Sequence, residues 1–275
     1  MANNPLKKYF RQPKIYVDLP SRGIFCEPGT IIGDTESMPI YGMTGMDEII
    51  LKTPDALLRG ESTVKVIESC CPVVKNAWNL SILDLDLLLV AIRIATYGNN
   101  MSVTHKCPHC TAENDFELDM GNIINHFKQC TYDGKIVLKD LIINLKPLDY
   151  KTWTEFQVKS FTMQRQVMQA SQLEDADEMQ KILKGLFEQL GVIQRETIIC
   201  QIDTVEVAEG VVDQRTFIQE WVENSEQVIF EEIKKRIETT RKRWDIPEMA
   251  VTCPDCGKDS TVAISVDQSD FFDRA

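Results

Sequence analysis

Two Cys-Pro-x-Cys sequences hold the side chains of this chain that are best suited to chemistry. Cys107 and Cys110 form the first pair, and Cys253 and Cys256 form the second. A tight turn between two cysteines that are three positions apart presents both sulfur atoms to one ion. Two such turns supply the four soft ligands of a tetrahedral Zn²⁺ site. The spacing therefore predicts one structural zinc site made by all four cysteines.

The residues around the two pairs are similar as well. Val103 and Thr104 precede the first pair, and apolar residues alternate with polar ones after both pairs. Such alternation is typical of β-strands, so each pair is expected at the tip of a β-hairpin. Gly257 follows the second pair and permits a turn with positive φ that aims backbone N–H groups at thiolates. The halves resemble a zinc ribbon split by the 142 residues between Cys110 and Cys253.

The long separation does not argue against a shared site. Each doubling of a loop costs about 0.6 kcal/mol, whereas structural zinc contributes about 10–16 kcal/mol at neutral pH. A thioredoxin-like redox pair and a disulfide framework are the competing interpretations. A redox pair would begin a helix after a strand, and strand-like alternation follows both pairs here. His105 and His109 lie beside the first pair and could replace a thiolate, but four thiolates already complete a closed site.

The composition is that of an ordinary globular protein with one large domain or two smaller ones. Of the 275 residues, 43% are hydrophobic and 26% are charged. The longest strongly apolar run, 87–92, is too short to span a membrane, and the first residues lack a hydrophobic secretion signal. Nine cysteines, an odd number, fit a reducing cytosol. Five of them are expected to be small buried hydrophobic side chains: Cys26, Cys70, Cys71, Cys130 and Cys200.

The net charge of −12 disfavours binding to nucleic acid, because phosphate contacts need a basic surface. The one basic cluster, 234–243, falls late in a predicted helix, where cations interact favourably with the macrodipole. The sequence contains no metalloprotease, phosphate-loop, serine-hydrolase or dinucleotide motif. The acidic pairs Asp84/Asp86 and Asp47/Glu48 are better explained as helix caps. We therefore predict a protein without catalytic residues that is not an enzyme.

The periodicity predicts an α+β protein in three parts. Residues 1–130 form an N-terminal region that starts with short strands, continues with helices and ends in the first zinc hairpin. Residues 131–248 form a mainly helical insertion. Residues 249–275 form the second zinc hairpin and a C-terminal strand, which pack on the first hairpin. The pair of zinc-ribbon-like hairpins thus closes a mainly helical protein with a small β-rich N-terminal region.

Local signals place several elements within these parts. The clearest helix covers Ser81 to Tyr97, with Ser81 and Asp84 as a capping box. A hairpin turn is expected at Asp133–Gly134. Asp149 and Asp213 are expected to cap two helices, and alternating Val262, Ile264 and Val266 predict the C-terminal strand.

Five segments follow one another in the first half of the chain, the last of them just before Cys107. They are Leu19-Pro20-Ser21-Arg22-Gly23-Ile24-Phe25, Met43-Thr44-Gly45-Met46-Asp47-Glu48, Pro54-Asp55-Ala56-Leu57-Leu58-Arg59-Gly60-Glu61, Ser69-Cys70-Cys71-Pro72 and Ile92-Arg93-Ile94-Ala95-Thr96-Tyr97-Gly98. This ordered series resembles the baseplate hub proteins of contractile-tailed phages of the T-even, or T4-like, type, and the resemblance covers residues 15–120 best.

This resemblance implies a structural or assembly protein of the central hub of the tail baseplate. It implies a late protein, made in the host cytoplasm, whose partners are other hub or tail proteins. The net charge and the short apolar run predict that it binds neither nucleic acid nor a membrane. It leaves open the direct partner, the copy number, the oligomeric state and retention in the virion. A zinc-ribbon nucleic-acid-binding or transcription-associated factor is the alternative, and a hydrolase with an open zinc position is a third class.

Overall fold

The computed structural model describes residues 4–53, 59–138, 140–172, 175–264 and 271–272. Eight α-helices and ten β-strands lie in these ranges, and every strand pair is antiparallel. The prediction of an α+β protein is therefore confirmed. The chain divides into two compact units, of which the first is discontinuous and joins residues 1–131 to residues 244–275. The second unit comprises residues 132–243.

The described part of the first unit combines four helices with three two-stranded sheets. The helices are α1 (Gly45–Leu51), α2 (Glu61–Cys70), α3 (Ile82–Tyr97) and α4 (Met120–Gln129). The sheets pair β1 (Pro13–Val17) with β2 (Met38–Tyr41), β3 (Asn100–Lys106) with β4 (Glu113–Asp119), and β9 (Met249–Thr252) with β10 (Asp259–Val262). Short 3-10 helices span Pro5–Tyr9 and Ala77–Asn79.

The second unit packs helices on one four-stranded sheet. The strands occur in the spatial order β5 (Lys135–Val137), β6 (Ile142–Leu145), β7 (Ile202–Val207) and β8 (Gly210–Val212). The helices are α5 (Tyr150–Ala170), α6 (Ala176–Gln201), α7 (Arg215–Asn224) and α8 (Gln227–Trp244). Apolar side chains of the sheet and of α6, α7 and α8 form one core, with Ile143, Ile202, Ile218 and Ile233 almost fully buried.

Two local predictions for the second unit are wrong. Asp133 and Gly134 do not form the expected hairpin turn, because residues 131–134 belong to no strand and β5 pairs with β6, which follows it. Helix α7 follows Gln214, which makes no side-chain capping bond, so Asp213 is not its cap. Asp149 does cap α5 by accepting a hydrogen bond from the Thr152 backbone N–H.

Helix α3 is the central element of the first unit. The consecutive side chains of Leu87, Leu88, Leu89 and Val90 are all buried, so the helix is covered on every side. A helix that is apolar all round is stable only in such a position. This helix belongs to the core of its own unit and is not a docking surface for another protein. Among the described residues, no helix has the length and apolar character needed to cross a membrane.

Of the capping box expected at the start of α3, the Ser81 cap is confirmed and the return bond from Asp84 is wrong. Ser81 caps the helix by accepting a hydrogen bond from the Leu83 backbone N–H. The carboxylate of Asp84 turns away and binds Ser21, accepting from its backbone N–H at 3.1 Å and bonding to its hydroxyl. Asp84 is fully buried, and this burial raises its pKa to about 6, although both bonds from Ser21 oppose the shift. Asp84 therefore fixes the turn at residues 19–25 to the core helix.

The other end of α3 holds the C-terminal segment. Arg93 is 2% exposed and donates a hydrogen bond of 2.8 Å from its Nε to the backbone carbonyl of Phe271. The guanidinium carbon also lies 5.8 Å from the centre of the Phe271 ring and 5.5 Å from that of Tyr97, within reach of cation–π attraction. The predicted C-terminal strand is shorter than expected, because β10 ends at Val262; Val266 lies outside the described residues.

We predict that Asp84 makes the stability of this protein fall as the pH rises from 5 to 7. The folded protein keeps the Asp84 proton up to about pH 6, whereas an ordinary aspartate releases it near pH 3.8. The native state then binds more protons than the unfolded state, so the free energy of unfolding decreases with pH in this window. Asp84→Asn removes the titration. Relative to wild type, this variant should gain about 1 kcal/mol between pH 5 and 7 in urea unfolding.

The control is Asp84→Ala, which leaves the N–H and hydroxyl groups of Ser21 without their partner. It should cost about 1–3 kcal/mol and should likewise not titrate. An identical pH dependence for wild type and Asp84→Asn would contradict the role of this carboxylate.

Candidate metal centre

The two cysteine pairs lie at the tips of two hairpins with the same backbone geometry. Cys107 and Cys110 lie between β3 and β4, and Cys253 and Cys256 lie between β9 and β10. In each hairpin the N–H of the first cysteine donates to the carbonyl five residues later. The bond from Cys107 to Ala112 measures 2.9 Å, and the bond from Cys253 to Lys258 measures 3.0 Å. Each tip therefore projects two sulfur atoms from a turn of the same shape.

A second pair of hydrogen bonds closes each turn. The N–H of Thr111 donates to the carbonyl of Cys107 at 2.9 Å, and the N–H of Gly257 donates to the carbonyl of Cys253 at 2.8 Å. Both residues have positive φ, 69° for Gly257 and 62° for Thr111. The sequence predicts this conformation at Gly257 but not at Thr111. A β-branched residue is rare in that region, and it persists only where its surroundings hold it there.

The fold brings all four cysteines together although the pairs are far apart in sequence. Their Sγ atoms all lie within 4.8 Å of one another. Across the two hairpins, Cys107 lies 3.7 Å from Cys256, and Cys110 lies 3.6 Å from Cys253. Four sulfur ligands at about 2.3 Å from a tetrahedral ion are about 3.8 Å apart. Disulfide sulfurs are about 2.05 Å apart, so this cluster has the spacing of metal ligands and could hold a metal ion.

The electrostatic environment separates Cys107 from the core cysteines, whereas burial and the neighbouring thiols raise the pKa of Cys110 to about 12 and also raise that of Cys256. Backbone N–H groups of His109 and Cys110 point at the sulfur of Cys107 and lower the pKa of that thiol to about 6. Burial instead raises the pKa of Cys70 and Cys71 to about 12. A thiolate is the form that binds metals. The cluster therefore supplies a metal ligand at neutral pH, whereas Cys70 and Cys71 are protonated core residues, as predicted.

Polar contacts also join the two hairpins beside the sulfur atoms. His105 and Asn114 are directly opposite each other on β3 and β4. The Nε2 atom of His105 lies 3.2 Å from the Oγ atom of Ser260. The Nδ2 atom of Asn114 donates to Cys253 Sγ at 3.7 Å and to Asp255 Oδ2 at 3.0 Å. An N–H donor to a sulfur ligand fixes its orientation and tunes its affinity for the metal.

The sequence suggests His105 and His109 as possible ligands and gives no direct sign of Asn114. In the structure, the four-sulfur cluster contains neither His105 nor His109, and His109 is exposed. The signal that could have identified Asn114 is the strand alternation. It places Asn114 on the same face of the hairpin as Phe116.

A family model described as T4 bacteriophage base plate protein matches residues 45–273. The chain belongs to this family. The match includes both cysteine pairs and the whole second unit, so it extends well past residue 120, where the resemblance was weaker; it begins at residue 45 and does not include the segment 19–25. The assignment to baseplate proteins of T4-like phages is thereby confirmed. Comparisons of this baseplate protein with curated proteins and with solved structures find no match.

We predict that the baseplate protein binds about one metal ion per chain and loses it when one hairpin loses its sulfur ligands. Cys253→Ser/Cys256→Ser leaves two ligands, too few for a structural site, and should abolish bound metal in elemental analysis. Cys130→Ser is the matched control, because Cys130 lies outside the cluster, and it should retain the metal. Full retention of metal by the double variant would contradict the shared site.

A second prediction concerns Asn114. Asn114→Ala removes the N–H donor to Cys253 and should weaken metal binding by about tenfold or more, measured by competition with a chelator or by the charge-transfer absorption of Co²⁺ bound to the thiolates. Asp115→Ala is the control, since Asp115 is on the opposite face of β4, where its Oδ1 atom accepts from Thr104. Equal affinities in the two variants would exclude this role for Asn114.

Proposed function

We propose that this protein is a structural or assembly component of the central hub of a contractile phage tail baseplate, and that a structural zinc ion stabilises it. The observation that carries the proposal is the family match over residues 45–273. The hub position is supported by the ordered segments between residues 15 and 120. The proposed place of action is the host cytoplasm during assembly, with other hub or tail proteins as partners.

The metal is proposed to be zinc, bound by Cys107, Cys110, Cys253 and Cys256. Tetrahedral sets of four thiolates take zinc or iron, and zinc, which has no redox chemistry, suits a site that only stabilises the fold. Iron in the same site would colour the purified protein, so elemental analysis and the visible spectrum distinguish the two metals. When bound, zinc would supply binding energy to the fold and no reaction chemistry.

The proposed role of the zinc is to close the first unit. One hairpin belongs to the segment 1–131 and the other to the segment 244–275, and the chain between them forms the second unit. An ion held by both hairpins links the two segments directly. Structural zinc contributes about 10–16 kcal/mol, which exceeds the closure entropy of a loop of this length.

The proposed function includes no catalysis. Four thiolates complete the tetrahedral coordination of zinc and leave no position for a reactive water, which supports a structural site over that of a hydrolase. The net charge of −12 supports protein partners over nucleic acid.

We predict that a phage unable to make this protein accumulates incomplete baseplates while its heads assemble normally. Electron microscopy of infected-cell lysates measures both structures, and supplying the wild-type protein from a plasmid should restore complete baseplates. The Cys253→Ser/Cys256→Ser protein should fail to restore them at elevated temperature. Normal baseplates without the protein would refute the role in assembly.

The alternative of a nucleic-acid-binding factor gives a different result with the purified protein. Binding dominated by phosphate contacts would lose on the order of 10³-fold in affinity between 50 and 200 mM salt. We expect no retention on DNA at either salt concentration.

A further inference from the structure

The two longest helices of the second unit, α5 and α6, form a helical hairpin with one apolar seam. Only five residues separate the helices, so they run antiparallel. Apart from Thr154 and Gly185, the buried and half-buried positions between 153 and 170 in α5 and between 179 and 197 in α6 recur with alternating spacings of three and four residues, the pattern of coiled-coil packing. Seam residues include Ser160, Met163 and Val167 of α5 and Leu183, Leu186 and Leu190 of α6.

The most exposed large apolar side chains of the hairpin lie on one side of this seam, whereas Ile182 and Val192 on the opposite side are only 38% and 41% exposed. Phe161 is 59% exposed, Met168 is 69% exposed and Phe187 is 59% exposed. Each follows a seam residue by one position. In an antiparallel pair of right-handed helices, the positions that follow the seam by one lie on the same side of both helices. Phe161, Met168 and Phe187 therefore share one surface, here called the phenylalanine face.

The phenylalanine face carries almost no charge. Among its described residues the remaining exposed side chains are four glutamines and one lysine, with no carboxylate: Gln157, Gln164, Gln180, Lys184 and Gln194. The opposite side of the hairpin, at positions one before the seam, carries Glu155, Lys159 and Glu196. The chain as a whole has 42 acidic residues and a net charge of −12. A face without carboxylates is therefore unusual on this protein.

The lack of charge makes the phenylalanine face suitable for contact with a second copy of the same chain. Two copies of an acidic chain repel each other across most of their surfaces. In a two-fold symmetric contact, each patch meets its own equivalent, so a carboxylate near the axis would meet a carboxylate. Apolar and amide side chains have no such conflict, because phenylalanine and methionine pack on their equivalents and glutamines can donate and accept hydrogen bonds.

Gly191 makes a close contact between helices possible. It lies one turn after Phe187 and also follows a seam residue, so it belongs to the phenylalanine face. A Cβ atom built at Gly191 would meet nothing within 4 Å. The packing of the chain itself therefore does not require a glycine here, although glycine is less favourable than alanine inside a helix. The absent side chain leaves a flat area that a facing helix can approach.

We propose that the phenylalanine face is covered by the same face of a second copy, forming a four-helix bundle across a two-fold axis. A helix of 21 residues, as in α5, is about 30 Å long, and two helices side by side are about 20 Å wide. The face therefore offers about 600 Å² per copy, or about 1,200 Å² in total, which is the lower end of the range for specific interfaces. Neither the zinc site nor the baseplate role is needed for this pairing.

Sedimentation equilibrium of the full-length protein tests the pairing. Wild type should form dimers that dissociate on dilution. Phe161→Glu/Phe187→Glu places four carboxylates in the contact and should raise the dissociation constant by at least about 100-fold. Val192→Glu is the matched control on the opposite side of α6, and it should leave the dimer intact. Circular dichroism and thermal unfolding confirm that each variant is folded.

The two glycines of α6 provide a second, independent comparison. Gly185 also has open space at its Cβ position but lies on the opposite side of the hairpin. Gly191→Gln and Gly185→Gln should both raise the melting temperature of the monomer, because both remove a glycine from a helix. Only Gly191→Gln should weaken the dimer, by about tenfold (on the scale where 1.4 kcal/mol is tenfold).

Three outcomes would overturn the proposal. The first is a wild-type protein that stays monomeric at several hundred micromolar. That result would mean that the phenylalanine face does not bind a second copy. The second is a Phe161→Glu/Phe187→Glu protein that dimerises as well as wild type. The third is an equal weakening of the dimer by the two glycine substitutions or by Val192→Glu, which would place the contact elsewhere.

Discussion

The close approach of four sulfur atoms is the constraint on which the first unit depends. This unit consists of two chain segments, and its hairpins meet where Cys107 approaches Cys256 and Cys110 approaches Cys253 within 3.7 Å. Natural domains are stable by only about 5–15 kcal/mol, and a structural zinc site contributes a comparable amount. With metal bound, this one site would contribute as much to the free energy of unfolding as the net stability of a whole domain. The equivalent hydrogen bonds of the two turns hold each pair of cysteines in the same backbone geometry.

Helix α3 organises the rest of the first unit around this closure. It is almost entirely apolar, and its two buried charged side chains, Asp84 and Arg93, are both used to hold neighbouring segments. Asp84 holds Ser21 near the start of the chain, and Arg93 holds Phe271 near its end. Removing one partner from such a buried contact leaves an unsatisfied polar group, which costs more than the bond itself contributes. The first unit is therefore tied together at the hairpins and at both ends of α3.

The net negative charge restricts which surfaces of a baseplate protein can make contacts with its neighbours. A protein that assembles with others in a crowded complex must make specific contacts despite a net charge of −12. Such charge keeps copies soluble and separate, so contact surfaces must be uncharged or meet basic partners. The phenylalanine face of the α5–α6 hairpin is a surface of the first kind. In the proposed pairing, Phe161 and Phe187 lie in the contact between copies, in line with the enrichment of aromatic residues in interfaces.

The sequence by itself determined the features that depend on neighbouring residues. The Cys-x-x-Cys turns, the positive φ at Gly257, the cap of α5 at Asp149 and the buried α3 all follow from short-range spacing. Tertiary structure decided the partner of Asp84, which lies 63 residues away at Ser21, and the contact of Asn114 with Cys253. It also decided the four-stranded sheet of the second unit, whose strands have three to six residues. Such short strands carry little periodic signal, and pairing between distant segments is set by the packing of the whole core.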